Sequence, residues 1–366
     1  MKLSIARSEL LEALNVVSKG MSARSTLPIL SGIYIEATDG KIVFQATDLE
    51  VSVRHSSPAL IEEEGRTVVP GKLLSDIVRS LPEAAVTLEL DKDVVSVRCQ
   101  QSAFTVRTLN PADFPRFPEL TIEKSVTLPA DTLASMVRKV AKAVSRDETR
   151  AVLTGVLFVI EGASIRLVAT DSYRLAMVDR LLEEPVGEDI EAVVPGRALD
   201  EATKLASSGD SVRMGVSQNQ VVFEFGETTF VTRRVEGSFP NYKALIPKES
   251  ETIVEVSTEE LLAAVKRVSL LALHNTPLKL SVLSEDQTLS LSATTQDVGD
   301  ASEDLMVKVE GKAVEIAFNH AFLVDGLVSV PTDTVRIDIQ SSLKPGLLKS
   351  AGEEDFLYLL MPVRLG

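Results

Sequence analysis

Three stretches of the sequence repeat one pattern: residues 67–78 read TVVPGKLLSDIV, residues 192–203 read AVVPGRALDEAT and residues 315–328 read EIAFNHAFLVDGLV. Pro70, Pro195 and Asn319 hold the same place in the pattern, at intervals of 125 and 124 residues. An acid stands six residues after each of them. Because a single core seldom grows past roughly 250 to 300 residues, this repeat predicts three tandem units in the 366-residue chain.

Two further sets of repeats keep the same register. One is strand-like, and it occurs at 41–50, 165–174 and 289–298. The other is a short strand followed by an amphipathic helix, and it occurs at 2–19, 125–144 and 252–271. Each unit therefore reads as strand, helix, strands, second helix and further strands. The sequence predicts an α+β fold of three similar domains, at 1–124, 125–250 and 251–366.

The composition excludes several classes of protein. With 38 basic and 53 acidic residues the chain carries a net charge of −15, so it is not a uniformly basic nucleic-acid module. A hydrophobic content of 45% is too high for a disordered chain. The sequence shows no signal-like start and no apolar run of about 18 residues, so we expect a cytoplasmic protein without membrane spans. Cys99, the single cysteine, lies in a strand-like stretch and cannot form an internal disulfide.

The predicted helices are more basic than the rest of the chain. Six helix windows carry a net charge of +3 together, which leaves −18 for all other residues. The windows are 7–19, 71–80, 130–146, 196–205, 257–268 and 318–328. In the third, Arg138, Lys142 and Arg146 are placed opposite an apolar stripe, and Lys266 and Arg267 repeat this later. Solvated surface charge is the plain interpretation of one such helix, but three repeats favour one surface that meets phosphates without reading bases.

The sequence lacks a catalytic pattern. His55, His274 and His320 are separated in the sequence and lack the helical spacing of a metal site, and no phosphate-binding loop or nucleophile elbow occurs. We predict no cofactor, no metal and no catalytic residue. A rival hypothesis is a hydrolase or nuclease that uses Asp171 with the acids at 353–355.

Five motifs resemble the bacterial DNA polymerase III beta subunits, the sliding clamps. They are Arg24 with TLPIL at 26–30, VATDSYRLA at 168–176, GSFPNY at 237–242, Phe318-Asn319, and LLMPVR at 359–364. The resemblance covers essentially the whole chain. It implies three clamp domains per chain and a head-to-tail homodimer, a six-domain ring with helices inside and antiparallel sheets outside. Such a ring encircles duplex DNA without sequence specificity and tethers the replicative polymerase, the clamp loader and other clamp-motif proteins.

The resemblance and the basic helix faces together predict a DNA-contact set. Its members are Arg24, Lys72, Arg79, Arg138, Lys142, Arg146, Arg150, Arg197, Lys204, Lys266 and Arg267. Beside Arg150, Ala151 and Val152 stand where some relatives have aromatic residues, and Asp147 replaces a neutral residue. These departures predict weaker contact with DNA at this loop.

The resemblance also implies a groove for partner peptides, which are extended tails of the polymerase and the loader. The matching positions are Leu153, Thr170, Ser172, Tyr173, Arg174, Leu175, Pro240, Leu245, Asn319, Phe322, Leu343, Pro345, Leu359, Met361, Pro362, Val363 and Arg364. Most are apolar, as expected for a hollow that binds short linear motifs. Ala244 and Asn275 depart from the family pattern and predict a shifted peptide preference.

The last implied site is the dimer interface. Phe104 and Val106, on an edge-like strand, match one side, and Leu270 and Leu271 match the other. Some basic partners are replaced by Gln101 and Ala103, so we expect an apolar seam with few ion pairs. A second alternative remains open at this point: a peptide-binding scaffold that never encloses DNA.

Overall fold

The computed structural model describes residues 1–22, 26–206, 209–272, 276–352 and 355–364. Its α-helices are α1 (Arg7–Val17), α2 (Gly71–Ser80), α3 (Ala130–Val140), α4 (Gly196–Ala206), α5 (Thr258–Val268) and α6 (His320–Ser329). The strands of the first half are β1 (Lys2–Ala6), β2 (Gly32–Thr38), β3 (Lys41–Thr47), β4 (Val51–Pro58), β5 (Leu60–Glu63), β6 (Gly65–Pro70), β7 (Ala85–Asp91), β8 (Val94–Cys99), β9 (Ser102–Arg107), β10 (Lys124–Pro129), β11 (Gly155–Glu161), β12 (Ser164–Thr170) and β13 (Arg174–Leu181). Those of the second half are β14 (Ile190–Pro195), β15 (Ser211–Val216), β16 (Gln220–Phe225), β17 (Thr228–Arg233), β18 (Thr252–Ser257), β19 (Leu278–Leu283), β20 (Thr288–Thr295), β21 (Gly299–Met306), β22 (Lys308–Gly311), β23 (Val314–Phe318), β24 (Thr334–Ile339), β25 (Gly346–Ser350) and β26 (Phe356–Leu360).

The chain forms two compact units. Unit 1 comprises Met1–Asp131 and Arg197–Arg234, and unit 2 comprises Thr132–Gly196 and the chain from Val235 onward. Unit 1 contains a five-stranded sheet in the order β5-β1-β7-β8-β9 and an eight-stranded sheet in the order β10-β15-β16-β17-β4-β3-β2-β6. Helices α1 and α2 pack on one face of the larger sheet. Ile33, Phe44 and Val53 alternate with more exposed neighbours and are fully buried.

Unit 2 contains a nine-stranded sheet in the order β14-β11-β12-β13-β26-β25-β24-β18-β22 and a four-stranded sheet in the order β21-β20-β19-β23. Helix α5 packs on α6 and on β20 and β21. Its apolar face, which includes Leu261, Val265 and Val268, is buried. Ser257 caps the helix by accepting a hydrogen bond from the amide of Glu260 at 3.3 Å.

The strand order confirms the three similar repeats. The first third pairs β1-β7-β8-β9 and β4-β3-β2-β6, the middle third pairs β10-β15-β16-β17 and β13-β12-β11-β14, and the last third pairs β18-β24-β25-β26 and β21-β20-β19-β23. The repeated position Pro70, Pro195 or Asn319 stands directly before α2, α4 or α6. In unit 1 strand β17 pairs with β4, and in unit 2 strand β13 pairs with β26, so the middle third contributes four strands to the larger sheet of each unit. The exact domain bounds stay a prediction.

One helix prediction is wrong. The window 130–146 predicts a continuous helix, but α3 ends at Val140, and a 3-10 turn follows at Ala141–Ala143. The amide of Ser145 donates to the carbonyl oxygen of Leu153 at 2.8 Å instead of to a helical carbonyl, which draws the chain away from the helix. Lys142 therefore lies on the 3-10 turn, and Arg146 lies beyond it.

The predicted net charge of +3 for the helices is wrong, although the helices remain more basic than the rest of the chain. Helices α1 to α6 contain nine basic and nine acidic residues, so together they carry no net charge. The excess came from Lys19, Lys142 and Arg146, which lie beyond the C-terminal ends of α1 and α3. All three of these basic residues are exposed.

Smaller features agree with the sequence. Asp39 and Gly40 have φ angles of 48° and 72° and join β2 to β3, as a hairpin turn with two left-handed residues requires. Cys99 ends β8 and is buried, with its Sγ 3.6 Å from the carbonyl oxygen of Pro82.

Candidate functional site

The predicted peptide groove lies within unit 2, around the sharp loop between β12 and β13. Ser172 has a φ of 81°, which few residues other than glycine adopt. The Oδ1 atom of Asp171 holds the loop by accepting hydrogen bonds from the amides of Tyr173 at 2.9 Å and Arg174 at 3.0 Å. Thr170 closes the loop by donating to the carbonyl oxygen of Arg174 at 2.7 Å. The loop therefore presents Ser172 and Tyr173 to solvent in a fixed geometry.

Arg174 is the centre of this region. Its guanidinium donates to the Asp171 Oδ2 atom at 2.9 Å and, from its NH1 group, to the Asp325 Oδ2 atom at 2.6 Å and the Tyr358 hydroxyl at 3.1 Å. Only 9% of the residue is exposed. Burial by itself lowers the pKa of Arg174, but Tyr358, Asp325 and Asp171 outweigh it and hold the pKa above its ordinary value. Arg174 is thus a permanent cation whose position is fixed by three partners.

Aromatic side chains complete the wall beside Arg174. The guanidinium lies 4.3 Å from the centroid of the Phe322 ring, and the Tyr173 ring stacks on Phe322 with centroids 6.3 Å apart. The Tyr358 hydroxyl donates to the carbonyl oxygen of Phe322 at 3.1 Å, and burial raises the pKa of this phenol. Asn319 caps α6 and so fixes the first turn that carries Phe322. Tyr173 remains 62% exposed and is available to a ligand.

The C-terminal segment after β26, residues 361–364, forms the other side of the predicted groove. The amide of Met361 donates to the carbonyl oxygen of Tyr173 at 2.9 Å, and the amide of Val363 donates to that of Ala317 at 2.8 Å. Leu343, Met361 and Val363 expose 71%, 41% and 37% of their area. A cavity of about 650 Å³ adjoins this segment, and it is lined by Val314, Glu315, Ile316, Ala317, Ser342, Leu343, Val363 and Arg364.

The predicted groove residues other than Arg174 fall into buried, half-buried and exposed groups. Leu175 and Leu359 are register partners on β13 and β26 and are buried together with Leu157 and Val168. The buried members support the floor of the groove; they are Leu153, Thr170, Leu175 and Leu359. The exposed members are Ser172, Tyr173, Pro240, Leu245, Leu343, Met361, Val363 and Arg364, and Asn319, Phe322, Pro345 and Pro362 are half-buried.

Sequence reasoning missed two members of this site. Asp325 is the third acid of the repeat, but its partner could not be read from the spacing. Tyr358 lies in the apolar stretch FLYLL of β26, where a core role is the ordinary interpretation. Only the fold brings both to Arg174, which precedes them by 151 and 184 residues.

The predicted DNA-contact residues that the structure describes are all exposed. Four lie on the helices of unit 1: Lys72, Arg79, Arg197 and Lys204. Six lie in unit 2: Arg138, Lys142, Arg146, Arg150, Lys266 and Arg267. Arg24 lies outside the described residues.

These basic residues differ in their partners. Arg79 pairs with Asp76 at 3.3 Å, Lys204 with Asp200 at 2.6 Å, and Arg267 with Glu303 through two nitrogens. Lys142 lies 3.6 Å from the Asp325 Oδ1 atom, and Arg150 donates to Asp147 at 3.1 Å and to Ser172 at 3.0 Å. Five others make no ion pair with a described residue: Lys72, Arg138, Arg146, Arg197 and Lys266.

The predicted interface residues lie near sheet edges. Strand β9 ends the five-stranded sheet of unit 1, where Phe104 is 37% exposed, whereas Val106 is buried against its own unit. In unit 2, Leu270 is 75% exposed on the turn after α5. Leu271 on the same turn is half-buried.

The acids of the hydrolase hypothesis have structural roles in the described part of the chain. Both carboxylate oxygens of Asp171 are engaged by the loop and by Arg174, and Asp355 pairs with Arg180 and Lys139. Glu353, Glu354, His274 and Asn275 lie outside the described residues. Among the described residues no group of three or more His, Cys, Asp or Glu side chains is placed to hold a metal ion. The helices described here include none long and apolar enough to cross a membrane.

Comparison with known proteins defines the class. Models of the N-terminal, central and C-terminal domains of the DNA polymerase III beta subunit match residues 1–118, 127–241 and 243–364. The chain therefore belongs to the DNA polymerase III beta subunit family, whose members are non-catalytic processivity factors. The resemblance found in the motifs is confirmed, and the hydrolase hypothesis is not supported.

Individual relatives agree over their full lengths. The chain is 38% identical to the beta sliding clamp of Streptomyces coelicolor and 30% identical to that of Bacillus subtilis, with 100% of each chain covered. Among solved structures it is similar to the Bacillus subtilis DNA polymerase sliding clamp, with a TM-score of 0.96, 30% identity and complete coverage of both chains. A sliding clamp from Pseudomonas aeruginosa bound to griselimycin aligns with a TM-score of 0.95, 28% identity and the same coverage.

Proposed function

We propose that this chain is the DNA sliding clamp of a bacterial replicative polymerase. Two copies close head to tail into a six-domain ring around duplex DNA, with the helices inside and the sheets outside. The ring holds the polymerase, the clamp loader and other clamp-motif proteins through the groove of unit 2. The match of three beta-subunit domains in order over nearly the whole chain carries this proposal.

The charge distribution suits retention by enclosure. A chain with a net charge of −15 whose helices are neutral overall cannot neutralise many phosphates at once. The five exposed basic residues without described ion-pair partners offer single, sequence-independent contacts. Weak contacts of this kind let a closed ring slide, while enclosure keeps a tethered polymerase at a high effective concentration near its template.

The groove suits extended peptide tails. Its rim offers separate apolar side chains, Leu343, Met361 and Val363, beside the aromatic Tyr173, and its floor is buried and fixed. A peptide can therefore dock alternate apolar residues without reshaping the site, since the groove is already formed. The predicted groove residues, domain bounds, interface residues and cytoplasmic location all belong to this proposal.

Retention on circular DNA tests the ring. We expect the chain, loaded on nicked circular DNA, to stay bound through gel filtration and to be lost after linearisation, because threading supplies the retention. Sedimentation of the free chain checks the dimer at the same time. A matched Leu270→Asp variant places a charge on an exposed interface residue and is expected to abolish both the dimer and retention. Equal retention on circular and linear DNA, or no retention on either, would favour the peptide-binding scaffold.

A further inference from the structure

An arginine-rich cleft in unit 1 lies outside both predicted binding surfaces. It has a volume of about 420 Å³ and is formed by one face of the eight-stranded sheet and the segment that follows β9. Its lining residues are Tyr34, Gln45, Arg66, Pro111, Ala112, Phe114, Pro115, Arg116 and Phe117. The volume falls in the range of about 300–1,000 Å³ that small-molecule sites occupy.

The floor of the cleft lies on the sheet face opposite α1 and α2. Tyr34, Gln45 and Arg54 are register partners on β2, β3 and β4, and they alternate with the buried Ile33, Phe44 and Val53 that face the helices. Both neighbours of each of these strands are hydrogen-bonded strands of the same sheet. Across β2, β3 and β4 the floor therefore offers side chains and no free main-chain edge, which disfavours an extended peptide as the ligand there. Strand β6, which carries Arg66, is the end strand of the sheet, and its Val68 carbonyl already accepts from the amide of Leu109.

The wall of the cleft is held in place from outside the sheet. The amide of Leu109 donates to the carbonyl oxygen of Val68 at 2.8 Å, and Asn110 accepts from the amide of Ala112 at 3.1 Å. Prolines 111 and 115 stiffen the segment between these anchors and Phe117. The Phe114 ring packs on Tyr34 with centroids 5.4 Å apart, so wall and floor are in direct contact.

Three guanidinium groups surround the cleft. Arg66 lies at the β6 end of the floor, Arg116 lies on the wall, and the Arg54 guanidinium lies 4.4 Å from the centroid of Phe117. None of the three forms an ion pair with another residue in the described ranges, although the Arg66 side chain is hydrogen-bonded to the Tyr34 hydroxyl. Glu36 lies on the same face beside Arg66, and Glu227 lines the adjoining hollow with Arg54, so the arginines outnumber the acids by three to two. Three arginines without an ion-pair partner in the described ranges, gathered in a chain of net charge −15, indicate an anionic ligand.

The other side chains are those that bind a planar ring. Phe117, which carries Arg54 on one ring face, and Tyr34, which packs on Phe114, both line the cleft, and the amide of Gln45 can both donate and accept a hydrogen bond at the edge of a base. A ligand with a planar ring and a charged phosphate chain would use the whole lining. A bare anion would leave the rings unused, and an apolar ligand would leave the arginines unused.

We propose that this cleft binds a nucleotide, with the base against Phe117 and Tyr34 and the phosphates held by Arg66 and Arg116. Both a free nucleoside triphosphate and the 5′ end of a single strand carry this chemistry. The proposal does not depend on ring closure or on the peptide groove, because the lining residues belong to unit 1 alone. Binding can therefore be measured on the whole chain without DNA, loader or polymerase.

Calorimetric titration of the whole chain with dATP, without divalent cations, tests the proposal. We expect one site per chain, and affinity about tenfold or more weaker for tripolyphosphate or deoxyadenosine alone, because each carries half of the recognised chemistry. A short 5′-phosphorylated single strand is titrated in parallel. Tighter binding of the strand assigns the ligand to a strand end, and tighter binding of dATP assigns it to the free nucleotide; either result supports the proposal.

Matched variants locate the site. Arg66→Gln and Arg116→Gln should each weaken dATP binding about tenfold or more. Phe117→Leu should weaken dATP binding while leaving tripolyphosphate binding unchanged. The control Arg98→Gln removes the same charge from β8, on the other sheet of unit 1, and should change nothing. Undetectable dATP binding by the folded chain, equal binding of tripolyphosphate, or equal weakening by Arg98→Gln would overturn the proposal.

Discussion

Arg174 and Arg138 are both arginines of unit 2 near predicted binding surfaces, yet their surroundings are opposite. Arg174 is 9% exposed and bound by Asp171, Asp325 and Tyr358, whereas Arg138 is exposed and forms no ion pair in the described part of the chain. The proposed peptide groove is built around the first kind of residue, and the proposed DNA surface is built from the second.

This difference matches two kinds of recognition. A groove that selects a peptide motif needs walls that are fixed before binding, because ordering them afterwards costs affinity. A surface that slides along DNA needs contacts that break easily and carry no base information. One chain can combine both because buried networks fix geometry, whereas isolated surface charges leave it free.

The largest expected effect is the loss of stability when Arg174 is replaced. Arg174→Ala leaves Asp171, Asp325 and Tyr358 without their shared donor in a mostly buried place, so we expect the free energy of unfolding to fall by about 3 kcal/mol. Urea unfolding measures this change. Peptide affinity should fall as well, because Phe322 and Tyr173 lose their support.

Two control variants accompany this prediction. Tyr358→Phe removes two hydrogen bonds, the one from Arg174 and the one to the carbonyl oxygen of Phe322, and should cost about 1–2 kcal/mol. Arg138→Ala removes an exposed arginine and should stay within about 0.5 kcal/mol of the parent chain. Equal losses for Arg174→Ala and Arg138→Ala would remove the distinction between the two regions.

The next effect concerns the groove rim. Leu343→Ala and Met361→Ala should each weaken the binding free energy of a fluorescent peptide with the sequence of the polymerase tail by about 1–2 kcal/mol, since each variant loses apolar contact area. Fluorescence polarisation measures this change. Stability should not change, because both residues are already exposed. Leu181→Ala, at the far end of β13 and 84% exposed, is the matched control and should bind the peptide normally.

The proposed DNA contacts should show a smaller effect that depends on salt. Replacing Arg138 and Lys266 by Gln removes two unpaired charges, so the slope of log K against log salt on a linear duplex should become shallower by about 1.8. Lys279→Gln with Lys312→Gln removes the same charge from residues that pair with Glu315 and Glu251, outside the predicted set. A slope that falls equally in both double variants would place the contacts elsewhere.

The repeat explains how much of the fold could be predicted from the sequence. Strand and helix order follow from periodicity, and the window 71–80 coincides with α2 because its apolar spacing and flanking residues agree. The end of α3 could not be read in this way, because it depends on the hydrogen bond between Ser145 and Leu153. The strand pairings that divide the middle third between two units depend likewise on long-range contacts.

The repeated acid shows why the site was only partly predictable. Asp76, Glu201 and Asp325 hold one place in the three repeats, yet they pair with Arg79, Lys19 and Arg174 respectively. The Asp76–Arg79 pair can be read from the spacing, because the two residues stand three apart on one helix, but the partners of Glu201 and Asp325 lie on other elements that the fold brings beside them. The groove residues came from the family resemblance, whereas the network that fixes them came from the fold.

Arg150 lies between the two kinds of arginine and gives the smallest predicted effect. It is exposed like Arg138, but Asp147 and Ser172 hold its guanidinium. Hydrogen bonds from Thr149, followed by Arg150, lower the pKa of Asp147, so this carboxylate stays charged and keeps hold of Arg150 even in mildly acidic solution. Only below the depressed pKa is the restraint lost.

Asp147→Asn tests whether this restraint limits contact with DNA. The amide can still cap the turn by accepting from Thr149, but it no longer attracts Arg150 as an anion, so the salt slope should become steeper by up to about 0.9. Glu148→Gln removes the neighbouring exposed charge without touching Arg150. If both variants steepen the slope equally, the loss of a negative charge that repels DNA explains the effect. If only Asp147→Asn does so, the hydrogen bond from Arg150 to Asp147 is what keeps this arginine at the groove and away from phosphate.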